Sequence, residues 1–520
     1  MAAETDETAT RQCPVQTKDI PFLPEELFHM ILSYLDPVDV VRCRRVSRSW
    51  SDAFGNPRSL VPLLKRTFPR AREVRKLAQD GAFDNPDLTS EGNIRFWRNT
   101  FDQVAARYYH LARGKPRSVQ KFRLCGEFAL GSLQLFQVMP WDHHSSHYPE
   151  WGELMFKHAF WTYEDGLVVF PSEEDRSLVL LDLETGETFM VPFVLTDKVI
   201  RRIRLQDRLL VIEWAEPEAF HWLNDSDGVH RHFATSFDLY KYGRGWDIIF
   251  RNEWKIMFLG HPLGERDRFF SAHSKNYYTI YAWQPNRSLY TADEDAPIES
   301  LFVWDISKAS SYRPSLDPTG RMRDAFGDEG PTIVARFSFR ELGFYSVRQR
   351  GSPAIMRLDI NSEAKTVDIT EVTYTGSPIG RNSYNPLEWT CRVQTTSIPF
   401  IGHGPCWRRD AGVVFPPYRG NSCMEIPPLS MTGHLPWYLG VYEATDKDAQ
   451  VSFYLRYCHS SVSEEGKFSA RLALTIRTPH SETTLSDTAS AALSEKGKIC
   501  GDERFVVGEN DSGELVVYRF

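Results

Sequence analysis

From about Lys121 to the C-terminus the chain consists of short apolar runs separated by turn residues, and this long stretch excludes most folds before any motif is considered. Runs at 133–138, 167–170, 178–183, 209–212, 278–283, 301–304, 413–415 and 515–518 have the length and composition of strands rather than helices. Helical periodicity is nearly absent there. With 31 Pro, 32 Gly and 13% aromatic residues, the composition also favours a turn-rich β architecture.

Four of the runs end alike: LLDLETGET at 180–188, SFDLY at 236–240, FVWDIS at 302–307 and MRLDINSEAKTV at 356–367. Asp182, Asp238, Asp305 and Asp359 follow one another at spacings of 56, 67 and 54 residues. Such spacings suit four-stranded propeller blades, which take about 40–50 residues, if loops are inserted. Neither a complete G-H…W-D nor a kelch pattern is present. The region from 121 to 520 therefore reads as an all-β domain, a degenerate β-propeller of six to eight blades, with a pair of β-sandwiches as the alternative. In a propeller, the last strand, near 515–520, would pair with the first blade and close the ring.

The N-terminal part has a different texture. Residues 1–18 are polar and read as disordered. Between 19 and 56, Pro24 suits the first position of a helix whose apolar face is Leu27, Phe28, Ile31, Leu32 and Leu35, with Glu25 and Glu26 near its positive end. Asp36 as N-cap and Pro37 at the first helical position start a second helix, carrying Val38, Val40 and Val41. A third carries Val46, Trp50 and Phe54 and stops at Gly55-Asn56-Pro57. Residues 57–120 return to helical spacing around a polar loop at 80–92 and read as a rigid helical linker. The whole is thus an α+β multidomain chain. The three-helix unit is too small to close a core alone, because domains below roughly 40 residues need a staple, a metal or a partner.

The order of residues from Leu23 to Trp50, L-P-x-E-L-x-x-x-I-L-S-Y-L-D-P-x-D-V-x-x-x-R-x-V-S-R-x-W, resembles the F-box. The resemblance implies docking on the Skp-type adaptor of cullin-based SCF-type ubiquitin ligases, with the C-terminal domain as substrate receptor. F-box proteins often carry a propeller in that role. Leu23, Pro24, Leu27, Ile31, Leu32, Leu35, Pro37, Val40, Val41, Val46 and Trp50 fall on the family's motif positions and are the candidate adaptor-binding residues. Some of these must pack together while others face the adaptor.

The net charge of −8 hides a basic stretch between positions 42 and 76, where eleven Lys or Arg meet only Asp52 and Glu73. A nucleic-acid surface, a solvated helix face and steering of an acidic partner all fit such a patch; the F-box resemblance favours the last, since the family's adaptor is acidic. A further basic set, Arg201, Arg202, Arg204, Arg336, Arg340, Arg348 and Arg350, sits at strand ends where an acidic or phosphorylated segment could be read. The cluster His143, His144, His147 has no carboxylate at a matching interval and reads as a loop. His403 and Cys406 are neighbours in a turn, which seldom places a nucleophile and its base correctly.

No nucleotide-binding, hydrolase or metalloprotease motif is present, so the chain is expected to be non-catalytic, without cofactor or metal. The alternatives are an enzyme with its pocket in the central channel of a propeller and an F-box scaffold that uses the adaptor outside a ligase. The eight cysteines are scattered without a C-x-x-C pair, and there is no run of eighteen apolar residues and no secretory layout at the N-terminus. These features point to a soluble protein of the cytoplasm or nucleus, with reduced thiols. Its expected partners are the adaptor, through it a cullin, and an unknown protein substrate, with no nucleic acid and no membrane.

Overall fold

The computed structural model describes residues 20–84, 90–125, 160–175, 177–222, 228–262, 268–284, 297–321, 330–350, 355–375, 390–402, 407–411, 442–462, 468–494 and 499–520. The expected strands at 133–138 and 413–415, the cluster His143, His144, His147, and the pair His403, Cys406 lie outside them.

Among the described residues six α-helices come first: α1 (Glu25–Leu32), α2 (Pro37–Cys43), α3 (Arg48–Phe54), α4 (Pro57–Thr67), α5 (Arg72–Gln79) and α6 (Glu91–Ala112). Local chemistry sets most of their starts. The carboxylate of Asp36 accepts the Val38 N–H at 3.1 Å with Pro37 at the first helical position, and the Asn56 side chain accepts the Arg58 N–H at 3.0 Å ahead of Pro57. Gly55-Asn56-Pro57 thus ends α3 and starts α4 together. Gly55 has a φ of −101°, so no left-handed residue is needed. Its lack of a side chain serves packing instead, because a Cβ there would fall on the guanidinium of Arg98, which donates to the Ser51 carbonyl at 3.0 Å. Two positions differ from the sequence expectation. Pro24 precedes α1 as its N-cap rather than opening it, and Val46 lies before α3, exposed, rather than on its buried face.

The three short helices close their core against α4 and α6. Phe28, Leu32, Val40 and Phe54 are buried with Leu60, Leu64, Trp97, Phe101 and Val104, and the rings of Phe28 and Phe54 meet edge to face at 5.0 Å. This resolves the size problem of the 19–56 unit: the helices that follow it supply the missing half of its core.

Beyond α6 the chain forms β1 (Ser118–Arg123) and then five consecutive sheets. Blade 1 is β2 (Thr162–Glu164), β3 (Leu167–Ser172), β4 (Ser177–Asp182) and β5 (Thr188–Met190). Blade 2 is β6 (Val199–Gln206), β7 (Leu209–Ala215), β9 (Gly228–Tyr242) and β10 (Gly245–Pro262), with the short β8 (His221–Trp222) beside β9. Blade 3 is β11 (Arg268–His273), β12 (Tyr277–Gln284), β13 (Ile298–Asp305) and β14 (Thr332–Phe337), after which comes α7 (Phe339–Phe344). Blade 4 is β15 (Ile355–Asn361), β16 (Thr366–Thr375), β17 (Thr390–Pro399) and β18 (Trp407–Ala411). Blade 5 is β19 (Tyr442–Asp446), β20 (Val451–Val462), β21 (Phe468–Arg477) and β22 (Glu482–Thr484), followed by α8 (Asp487–Ser494).

Blade 6 is composite. Its strands β23 (Cys500–Gly501), β24 (Phe505–Glu509) and β25 (Glu514–Arg519) come from the C-terminus, and its outermost strand is β1, paired antiparallel with β25 from Ser118↔Arg519 to Arg123↔Glu514. The ring is closed by pairing the last strand with the first. The β domain is therefore a six-bladed propeller rather than a pair of sandwiches. Apolar clusters join blade to blade: Leu180 with Phe233, Trp254 with Tyr278, Leu301 with Val367, Phe453 with Val516, and Val168 with Val517 belong to five successive cores. A strand lying between two such cores is buried on both faces, as β3 and β7 are along their whole length, and so reads as a largely apolar run.

The recurring Asp occupies one blade position in three cases and another in the fourth. Asp182, Asp238 and Asp305 lie in the third strand of blades 1, 2 and 3, where Asp182 and Asp305 accept the N–H groups of Glu184 and Ser307, both at 2.9 Å, and close turns. Asp359 lies in the first strand of blade 4 and is out of phase with them.

Candidate docking site and its clamp to the propeller

The first helix is amphipathic in two senses. Its inner residues, Phe28 and Leu32, are buried, whereas a second apolar stripe faces outward. Phe22 is 68% exposed, Leu27 44%, Met30 53% and Tyr34 86%. Met30 and Tyr34 follow Leu27 at i+3 and i+7, the spacing of one helix side, and Phe22 ends the short turn of 3-10 helix ahead of α1. Pro24 and Val46 are also exposed, and Leu23, Ile31, Leu35, Pro37, Val41 and Trp50 are partly covered. Trp50 stacks on Phe54 with ring centres 5.1 Å apart. Leu32 and Val40 are fully inside and hold the helices in register. Phe22, Met30 and Tyr34 are exposed beside Leu27 but were not among the candidate adaptor-binding residues, although Tyr34 stands in the motif; the i+3 and i+7 positions of Met30 and Tyr34 from Leu27 are the signal that finds those two.

The basic stretch divides between surface and structure. Arg42 pairs with Asp39 at 3.0 Å and Arg44 with Asp102 at 2.6 Å, while Arg66 donates to the Ser33 carbonyl at 2.8 Å. Arg72 and Arg75 reach the propeller, pairing with Asp165 and Asp448. Arg45, Arg48, Arg58 and Lys65 remain exposed around the helices.

The helical arm is clamped to blades 6, 1 and 5 by a buried polar cluster. Glu503, in the turn between β23 and β24, is completely buried. Its carboxylate accepts the backbone N–H of Arg72 at 2.6 Å and the phenol of Tyr108 at 2.8 Å, and pairs with Arg107 at 3.1 Å. Arg107 in turn makes two hydrogen bonds to Glu73. Burial pushes the Glu503 carboxyl up and outweighs the pull of Arg107. Burial also raises Glu73, but the hydrogen bonds and charge of Arg107 prevail and hold it below its ordinary value. Asp165 stands at the tip of the β2–β3 hairpin, whose Asp165-Gly166 turn has both φ angles positive, at 46° and 80°. Its carboxylate joins Arg72 of the arm to Arg208 of blade 2 and Arg504 of blade 6. Beside this cluster Leu111 is buried with Phe453, Leu474, Leu485 and Phe520, and Thr483 Oγ1 donates to the Ala112 carbonyl at 2.7 Å.

The second basic set is not a surface cluster. Arg201 is buried under the ring of Phe269, Arg336 lies over Phe302, and Arg340 and Arg348 lie over Phe339. The Arg350 N–H donates to Glu299 at 2.9 Å. Arg348 also meets Glu299, and Arg202 and Arg204 both donate to Ser271 at the junction of blades 2 and 3. Among the described residues no group of three or more His, Cys, Asp and Glu could hold a metal, and no helix is long and apolar enough to cross a membrane.

Residues 20–60 match the F-box-like family model. No curated protein gives a significant match to the chain. Among solved structures, a chain of the mitotic checkpoint complex is similar over 78% of this chain and 96% of its own at 7% identity and a TM-score of 0.29. The WD40 domain of SCAP from fission yeast is similar over 68% and 89% at 9% identity and a TM-score of 0.20. Residues 20–60 thus form an F-box-like helical module, and the chain joins it to a six-bladed β-propeller.

Proposed function

We propose that this protein is the non-catalytic substrate-recognition subunit of a cullin-based SCF-type ubiquitin ligase, acting in the cytoplasm or nucleus. The module docks on a Skp-type adaptor and through it on a cullin, and the propeller binds a protein substrate. The observation that carries the reading is the outward apolar stripe of Phe22, Leu27, Met30 and Tyr34, on a module whose inner face is already filled. Fully covering four or five side chains of this size contributes on the order of 10 kcal/mol, against an association cost of about 4–15 kcal/mol. Binding therefore needs most of the stripe at once. The exposed Arg45, Arg48, Arg58 and Lys65 beside it would speed encounter with an acidic adaptor.

Co-purification of the full chain with the adaptor tests this. Leu27→Asp combined with Met30→Asp is expected to abolish recovery of the adaptor while the melting transition of the propeller stays in place. Undiminished recovery would overturn the assignment. Affinity purification with and without proteasome inhibition then reports cullin and substrate together.

A further inference from the structure

Each blade ends in an outermost strand whose free edge could pair with a further chain, and proteins blunt such edges with short strands, charged side chains or a covering segment. In blade 1 the outermost strand, β5, has only three residues. Along β10 of blade 2 the Ser310 N–H donates to the Arg251 carbonyl at 2.9 Å, and the Asn252 amide donates to the Ile306 and Lys308 carbonyls at 3.1 and 3.0 Å. The segment after β13 thus covers that edge. In blade 5, β22 lies against the end of α6, and β1 of blade 6 carries Lys121 and Arg123.

The outermost strand of blade 3 is different. Among the described residues β14 pairs with β13 alone. Val303 faces Ala335 but Trp304 faces Ile333, so Val334 is the extra residue of a bulge. Strict alternation would turn one of Ile333 and Val334 inward; with the bulge both are exposed. Phe337 then enters the core, and α7 follows with Phe339 exposed and Phe344 82% exposed.

The charge along this strip is largely positive. Between 332 and 350 there are four arginines and one acid, Glu341. That acid is engaged at the start of α7, where it accepts the Ser338 N–H at 2.7 Å and the Ser338 hydroxyl at 2.8 Å. Asp305, across from Thr332, accepts the Ser307 N–H, and Arg348 meets the buried Glu299 at 3.6 Å. Arg336, Arg340 and Arg350 are the members of the second basic set that reach the surface here, and they form no ion pair among the described residues. The rings of Phe302 and Phe339 hold Arg336 and Arg340 beside the strip, at 5.2 and 5.9 Å.

We propose that β14 and α7 form a docking edge for a partner protein, which supplies an extended acidic segment with alternating apolar side chains as a fifth strand of blade 3. Main-chain pairing along β14 supplies affinity, while alternation sets apolar side chains over Ile333 and Val334 and carboxylates beside Arg336 and Arg340. A basic segment would be repelled. The inference concerns the outer rim of the propeller and stands whether or not the helical module docks on an adaptor.

The full chain is mixed with a fluorescein-labelled synthetic peptide in which Val and Glu alternate, and binding is read by anisotropy. Wild type is expected to bind it saturably. Two variants change only exposed positions, so their melting midpoints should match wild type. Ile333→Ser with Val334→Ser removes the apolar contact and should weaken binding several-fold. Arg336→Glu with Arg340→Glu should weaken it at least about tenfold and should gain binding of the counterpart peptide in which Lys replaces Glu. A peptide with proline at its centre should also bind at least about tenfold more weakly, because it cannot pair along β14; equal binding would overturn the strand pairing. No saturable binding by wild type, or binding unchanged in both variants, overturns the site. Binding to phosphatidylserine vesicles in place of the peptide, lost in the arginine variant, would assign the strip to a membrane surface and overturn the proposal likewise.

Discussion

Replacing Glu503 tests whether the arm is fixed to the propeller. The carboxylate satisfies three partners on the arm: the Arg72 N–H, the Tyr108 hydroxyl and the Arg107 guanidinium. In Glu503→Gln the amide oxygen keeps one of them, and the amide group turns donors toward the rest. Each hydrogen bond to a charged group is worth about 1.5–3 kcal/mol, and breaking one member of a buried ion pair costs about 3–5 kcal/mol. Glu73 still neutralises Arg107, so the lower end, about 3 kcal/mol, is expected. The opposing effect is the desolvation of Glu503 itself, which raises its pKa and means that the charged cluster costs as well as contributes. A triple replacement, Glu73→Leu, Arg107→Met and Glu503→Leu, should therefore come out closer to neutral than the single one. Denaturant unfolding of wild type, Glu503→Gln, Arg107→Met and their double variant gives the coupling energy directly. If Glu503→Gln costs less than about 0.5 kcal/mol and the cycle shows no coupling, the clamp is not what holds the arm.

Two further outcomes follow from the same geometry. Truncation after Glu509 removes β25, and with it Leu515, Val516, Val517, Tyr518 and Phe520 from two cores; at about 1.5–3 kcal/mol per side chain this approaches the whole stability of a domain. A loss of the cooperative melting transition is expected, and a shift of a few degrees would refute closure by β1 and β25. In acid, Glu73 and Asp165 have folded pKa values below their ordinary ones, in both cases because arginine partners outweigh burial. Each contributes stability that is present above pH about 4 and lost as pH falls through its folded value, whereas the raised Glu503 acts with the opposite sign. Melting midpoints between pH 6 and 3 should fall for wild type and fall less for Glu73→Gln; equal slopes would remove Glu73 from the clamp.

The sequence showed strands wherever a run is buried on both sides, because β3, β4 and β7 then contain almost nothing but apolar residues. It showed the blade number less well. Blade 2 alone spans 199 to 262 with two long strands, and Asp359 imitates the recurring signature from a first strand rather than a third, so the spacing of the repeat does not count blades. In the module, the helical period marked an apolar face, but which side of α1 turns inward depends on α4 and α6, which lie beyond the motif. The clamp was not legible at all. Asp502-Glu503-Arg504 reads as a solvated turn, and only the arrival of Arg72 and Arg107, some 400 residues away in sequence, makes it an interior cluster.

These placements bear on how such a protein would work. The α6 helix has 22 residues and is therefore about 33 Å long, and it takes part in both cores: Trp97, Phe101 and Val104 belong to the module, and Leu111 belongs to blades 5 and 6. A helix buried at both ends transmits position without a hinge, since bending it would open one core or the other. Glu73, Arg107 and Glu503 then fix rotation about it, because the paired charges and the Tyr108 hydroxyl tolerate only one register. The outward stripe on α1 and the channel of the propeller are thereby held in one relative geometry. Weakening the clamp should leave binding at each site intact while lowering any activity that needs both sites at a set distance. In the proposed ligase, Glu503→Gln is accordingly expected to keep adaptor recovery and reduce substrate ubiquitination, and equal reduction of both would show instead that the module itself had unfolded.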